Sequence, residues 1–148
     1  MDFVERMQAK AKELSRNLVL PEGLEPRTLK AAATLLGEGM VASLTLIGAP
    51  DKVQAAAKNE GADISAATLV DPASSEKLET YATEYYELRK HKCMDMETAK
   101  AEIVDPLKWG AMMVRLGDAD AMVAGAESST ADVLRASFTI IKTSPGVK

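Results

Sequence analysis

The densest set of groups able to do chemistry lies between Gly125 and Arg135, in the run GAESSTADVLR. Gly125 and Ala126 allow a sharp backbone turn, and Ser128, Ser129 and Thr130 are residue types that cap helices. Ser129 and Asp132 stand three apart, as in a capping box. A small-residue turn feeding a helix N-terminus directs unpaired N–H groups and the positive end of the helix dipole at one spot, which favours an anion there. The three hydroxyls add donors. Arg135 follows on the same predicted helix. Helical side chains lean toward the N-terminus, so its guanidinium can fold over that anion. The plainer alternative is a capped structural helix in which Arg135 pairs with Asp132 at i,i+3.

Two other groups offer charge. Arg89-Lys90-His91-Lys92 is a basic run at the end of a predicted helix, where cations complement the dipole and are often simply solvated. Glu22, Gly23 and Arg27 sit at the first strand-to-helix turn. Arg27 near a helix start opposes the dipole, which hints that it faces an anion or a carboxylate such as Glu22. His91 is the one histidine and Cys93 the one cysteine, so no Cys/His metal spacing and no internal disulfide framework exist; no metal is expected. Asp118 and Asp120, two apart, read as local caps. Tyr81, Tyr85 and Trp109 have helical spacing among apolar neighbours and read as core.

Three segments carry a resemblance. LPEGLEPRTLKAA at Leu20–Ala32, YELRKHK at Tyr86–Lys92 and GAESSTADVLRASFTIIKTSPG at Gly125–Gly146 resemble, in order and spacing, the phosphate acetyltransferase and phosphate butyryltransferase family. The similarity runs over essentially the whole chain. Ser128 stands where many relatives carry histidine, Cys93 where glycine is common, and Ala136 where proline is common. The resemblance implies a fold like the first domain of that isocitrate-dehydrogenase-like family. It implies an acyltransferase interconverting acetyl-CoA plus phosphate with acetyl phosphate plus coenzyme A, with no bound cofactor.

Site residues follow from the same resemblance. Arg89 and Arg135 correspond to arginines implicated in binding coenzyme A and acetyl phosphate, and planar guanidinium forks suit phosphate oxygens. Arg135 is expected to be catalytic. Ser128, Ser129, Thr130, Glu22, Gly23 and Arg27 are expected to line the substrate site. The implied chemistry is direct transfer in a ternary complex, so Cys93 needs no catalytic role. Family members resemble homodimers of chains about twice this length, with two domains of ordinary size. Residues 1–148 are therefore expected to form the first domain only, without the aspartate that relatives use as acid-base group and without turnover of its own. Phosphate butyryltransferase and a non-catalytic acyl-CoA-binding or assembly module are the alternatives.

Elements must position these residues. The chain has 148 residues, 47% of them hydrophobic, enough for one core. Lys plus Arg number 18 against 22 Asp plus Glu, a net −4, which argues against general nucleic-acid binding. The N-terminal MDFVERMQAKAKEL lacks a signal-peptide core, and no apolar run approaches the ~20 residues of a membrane helix, so a cytoplasmic protein is expected. Strands are predicted at 18–20, 43–47, 67–70 and 120–124. Between them lie helices with apolar faces such as Phe3, Met7, Ala11 and Leu14, or Leu78, Tyr81, Ala82, Tyr85 and Leu88. In the last helix the predicted face is Ala131, Leu134, Phe138 and Ile141. No GxGxxG or GxxxxGK[ST] follows any strand, which weakens a nucleotide-binding reading. Alternating strands and helices predict an α/β fold around a mainly parallel sheet, with ligands beyond the carboxyl ends of its strands.

Overall fold

The computed structural model describes residues 1–147. Its sheet contains β1 (Asn17–Leu20), β2 (Ser43–Ile47), β3 (Thr68–Val70) and β4 (Ala121–Met122), all parallel, in the order β3-β2-β1-β4. Register is fixed by pairs such as Leu18 with Leu44 and Leu46 with Leu69. The helices are α1 (Phe3–Leu14), α2 (Pro26–Gly37), α3 (Pro50–Asn59), α4 (Leu78–Arg89), α5 (Met96–Ile103), α6 (Pro106–Leu116) and α7 (Thr130–Ala136). The α/β expectation holds.

Alternation along the strands builds two cores. Leu20, Leu44 and Leu46 face α2 and α3, meeting Leu29, Ala32, Val53 and Ala57. Val19 and Ile47 point the other way, toward Tyr81, Tyr85, Ile103, Trp109, Met112 and Ile140. The Tyr81 and Trp109 rings lie 4.4 Å apart at 45°. Both tyrosines and Trp109 are buried, as their spacing predicts. Asp118 reaches beyond its neighbours: it accepts a hydrogen bond from the Tyr81 hydroxyl and pairs with Lys77 at 2.7 Å. The Asp120 carboxylate accepts the Asn17 N–H at 2.8 Å, tying the start of β4 to the start of β1.

Three local expectations change. The last strand pairs over Ala121–Met122 rather than 120–124. Val123 N–H still bonds the Val19 carbonyl, and the chain then turns toward Glu22. The last helix buries a different stripe. Leu134 and Phe138 are exposed, while Ala136 and Ile140 are buried and Val133 packs on the core. Residues 133, 136, 137 and 140 form a second helical stripe overlapping the predicted one. A π-helical turn over Ser137–Ile141 follows α7 directly and brings Ile140 inward. Finally, α1 has the full Asp2/Glu5 capping box, yet none of its residues is buried, so its Phe3–Met7–Leu14 face lies uncovered.

The connections position the site. β1 leads through α2 to β2 on one side, whereas β4 arrives on the other after the long excursion through α4, α5 and α6. The strand order therefore reverses between β1 and β4. Loops leaving adjacent strands in opposite directions open a crevice at such a point. The segments Pro21–Gly23 and Val123–Ser128 leave the sheet there.

Candidate active-site cleft

The anion that occupies the amide-rich turn is the protein's own Glu22. Its carboxylate accepts four backbone N–H bonds: from Gly125 at 2.7 Å, Ala126 at 2.9 Å, Glu127 at 2.6 Å and Ser128 at 2.7 Å. The sequence expectation that these amides stand open to a ligand is corrected here. A buried carboxylate one strand away satisfies them first, with no loss of translational freedom. Burial pushes the Glu22 pKa up. The amide bonds, that from Glu127 foremost, outweigh it and hold the group down at about 2. Glu22 thus stays ionised and stitches the β1 loop to the β4 loop.

Gly23 belongs to the same junction for a steric reason. A Cβ there would sit 2.4 Å from the Ile47 carbonyl oxygen, so only glycine lets the turn pass the end of β2. Arg27 does not reach Glu22 by hydrogen bond. Its Nε donates to Glu25 at 2.6 Å, and Nη2 donates to the Ala126 carbonyl. Glu25 caps α2 by accepting the Thr28 N–H at 2.8 Å, and the Arg27 hydrogen bond holds its pKa below the usual carboxylate range. The dipole-opposed arginine therefore braces the turn from outside.

Beyond this clamp lies a cleft of about 650 Å³. Glu22 from the β1 loop, and Ser128, Ser129 and Arg135 from α7 and the turn before it, line it together with Tyr85 and Arg89 of α4. Among the expected site residues, Gly23, Arg27 and Thr130 do not line it. Ser129 caps α7: its hydroxyl accepts the Asp132 N–H at 3.1 Å and donates to the Asp132 carboxylate at 2.7 Å. Arg135 Nη1 donates to Asp132 at 2.8 Å, the plain pairing its spacing allows, with the arginine side chain 71% exposed. The Ser129 hydrogen bond, then the Arg135 charge, keep the Asp132 pKa low.

Arg89 differs. Its Nε is shut off from solvent and has no hydrogen-bond partner. Lys90 turns away to pair with Glu87 at 2.5 Å, and His91 and Lys92 are exposed. Of the basic run only Arg89 lines the cleft.

Sequence reading passed over several further cleft residues, among them Glu102 on α5, Lys108 and Thr139. It also took Tyr85 for core alone. The Tyr85 hydroxyl donates to Glu102 Oε2 at 2.7 Å, and Lys108 Nζ donates to the same oxygen at 2.8 Å. Lys108 Nζ also lies 5.5 Å from the Tyr85 ring centroid. These bonds, from Lys108 first and then Tyr85, lower the Glu102 pKa, while burial and the Glu102 bond raise that of Tyr85. A signal existed: Lys108 stands in the first turn of α6, where a cation opposes the dipole, just as Arg27 does. Among the described residues no cluster of His, Cys, Asp and Glu forms a metal-binding group, and no helix is long and apolar enough to cross a membrane.

The cleft can thus hold an anion between guanidinium groups beside serine hydroxyls, at the reversal of strand order. Comparisons with known proteins identify the family. The sequence profile of the phosphate acetyl/butaryl transferase family matches residues 2–148. A phosphate acetyltransferase of Thermoanaerobacterium thermosaccharolyticum is 50% identical over all of this chain and 44% of its own length. One from Clostridium acetobutylicum is 43% identical over the same shares. The EutD phosphotransacetylase from Staphylococcus aureus superposes with a TM-score of 0.88 at 34% identity, covering this chain fully and 46% of that one. A phosphotransacetylase from Streptococcus pyogenes gives 0.92 at 30%, covering 45% of its chain. The chain thus spans less than half the length of these relatives. With the profile matching nearly every residue and the fold shared throughout, the chain belongs to the phosphate acetyl/butaryl transferase family.

Proposed function

We propose that this chain is the first domain of a phosphate acetyltransferase, interconverting acetyl-CoA plus phosphate with acetyl phosphate plus coenzyme A. The full-length enzyme works as a homodimer in the cytoplasm. The observation that carries the reading is Arg89: a buried guanidinium nitrogen without a partner, lining a cleft that also holds Arg135, Ser128 and Ser129. Leaving such a donor unpaired costs about 1–3 kcal/mol, a cost that a bound phosphate oxygen recovers. That the relatives described above are phosphate acetyltransferases favours acetyl over butyryl as the transferred group.

In the direction that forms acetyl-CoA from acetyl phosphate, the coenzyme A thiol loses its proton to a base supplied by the remaining length of the enzyme. The thiolate attacks the acetyl carbonyl, the carbon–oxygen bond to phosphate breaks, and phosphate departs. Arg89 and Arg135 hold the phosphoryl oxygens and balance charge as phosphate leaves. Ser128 and Ser129 contribute hydroxyls at the same wall. Glu22, Gly23 and Arg27 serve by keeping the two loops in register. Holding both substrates in one cleft supplies much of the remaining rate.

Steady-state release of coenzyme A from acetyl-CoA with phosphate tests the reading. The two-domain enzyme containing this sequence should turn over acetyl-CoA faster than butyryl-CoA, and the 148-residue chain alone should show little or no turnover. Faster butyryl transfer would make it a phosphate butyryltransferase. Full turnover by the isolated chain would contradict the need for a base from outside it.

A further inference from the structure

We propose that Lys108 is a second anion ligand on the Arg89 wall of the cleft, stored against Glu102 until a phosphate-bearing substrate enters. The inference rests on the reading of the cleft as a phosphate site and adds a residue to it. The cations Arg89 and Lys108 and the carboxylates Glu102 and Asp105 line this part of the cleft. Glu102 feels the charge of Arg89, but its Oε2 is already taken twice, by the Tyr85 hydroxyl at 2.7 Å and Lys108 Nζ at 2.8 Å. Arg89 Nε is left with no partner at all. Arg89 is therefore the cation of this wall that has no hydrogen-bonded carboxylate of its own.

Lys108 is also the member with the longest flexible stem. Its ammonium sits on a flexible four-carbon stem, whereas Glu102 is fixed by Tyr85 and Arg89 lies at the end of α4. The Lys108 side chain is 28% exposed, and together with Arg89, Tyr85 and Glu102 it lines the cleft. The other carboxylate close to it in sequence, Asp105, is occupied as the α6 cap, accepting the Lys108 N–H at 3.0 Å. A doubly charged phosphate monoester or acyl phosphate meeting the free edge of Arg89 offers Lys108 more negative charge than Glu102 does. The ammonium then exchanges one oxygen for another without leaving the wall.

The test is calorimetric titration of the chain with acetyl phosphate, and separately with inorganic phosphate. The variants are Lys108→Met, Lys108→Arg, Glu102→Gln, Arg89→Met and a surface control, Lys12→Met, on the exposed α1. Lys108→Met should weaken acetyl phosphate binding about 10-fold beyond the Lys12→Met effect, and Lys108→Arg should recover most of it. Glu102→Gln should tighten binding about 3-fold, because it releases the stored cation. The inference is overturned if Lys108→Met matches Lys12→Met while Arg89→Met still abolishes binding; the phosphate reading then stands without it. Weakened binding in Glu102→Gln contradicts the stored-cation role. If the folded wild-type chain binds neither ligand, both the phosphate reading and the inference fail together.

Discussion

Two sides of one cleft treat charge in opposite ways. At the turn after β4, four amides and one carboxylate satisfy each other completely, and the Arg27–Glu25 pair braces the outside. Across the cleft, Arg89 keeps a buried nitrogen with no partner. The first arrangement is closed and holds the fold. The second is incomplete, with a buried donor unpaired. Preorganised amides were the more obvious anion site, yet the protein uses them on itself. A buried polar group left unpaired, rather than a well-satisfied one, is the group that calls for a partner.

The largest effect should come from opening the closed side. Glu22→Ala strands four amides and should cost about 4 kcal/mol, read as a lowered midpoint in urea unfolding. The same clamp has a pH signature. The folded pKa of about 2 lies below the unfolded value near 4.5, so its contribution is complete above pH 4.5 and falls away as pH drops toward 2. That contribution is about 3 kcal/mol. Glu22→Gln should flatten this part of the stability–pH curve, and an unchanged curve would mean the clamp is not what acid titrates.

On the incomplete side, the comparison predicts a loss of binding without loss of stability. Arg89→Met should reduce acetyl phosphate affinity more than about 10-fold. Stability should hold or rise by up to about 1 kcal/mol, since an unpaired buried donor is removed. A fall of several kcal/mol would show that Arg89 is structural after all. Arg135→Ala should affect stability least, by under about 0.5 kcal/mol, because its pair with Asp132 is exposed. It should still weaken phosphate binding measurably.

Much of this was legible in the chain. Strand runs bounded by Gly and Pro gave the parallel sheet. Ser129-x-x-Asp132 gave the α7 cap and Arg135-Asp132 its pairing. The Glu22 clamp was not legible, because it joins residues more than a hundred apart, and no local pattern reports which anion reaches a turn first. The inward stripe of α7 was missed because two stripes overlap and a π-helical turn chose between them. Lys108 was visible as a cation against a dipole, but its partners Glu102 and Tyr85 come from two other helices that only the fold brings together. The Phe3–Met7–Leu14 stripe was read correctly as helical, and the structure leaves it uncovered.

The most direct test of the account is nitrogen-15 NMR of the chain titrated with inorganic phosphate. The account predicts that the Arg89 Nε–H resonance shifts saturably while the Gly125, Ala126, Glu127 and Ser128 amides, held by Glu22, stay in place. Saturable shifts of those four amides with a silent Arg89 would mean that phosphate displaces Glu22 and that the closed side, not the incomplete one, is the binding site.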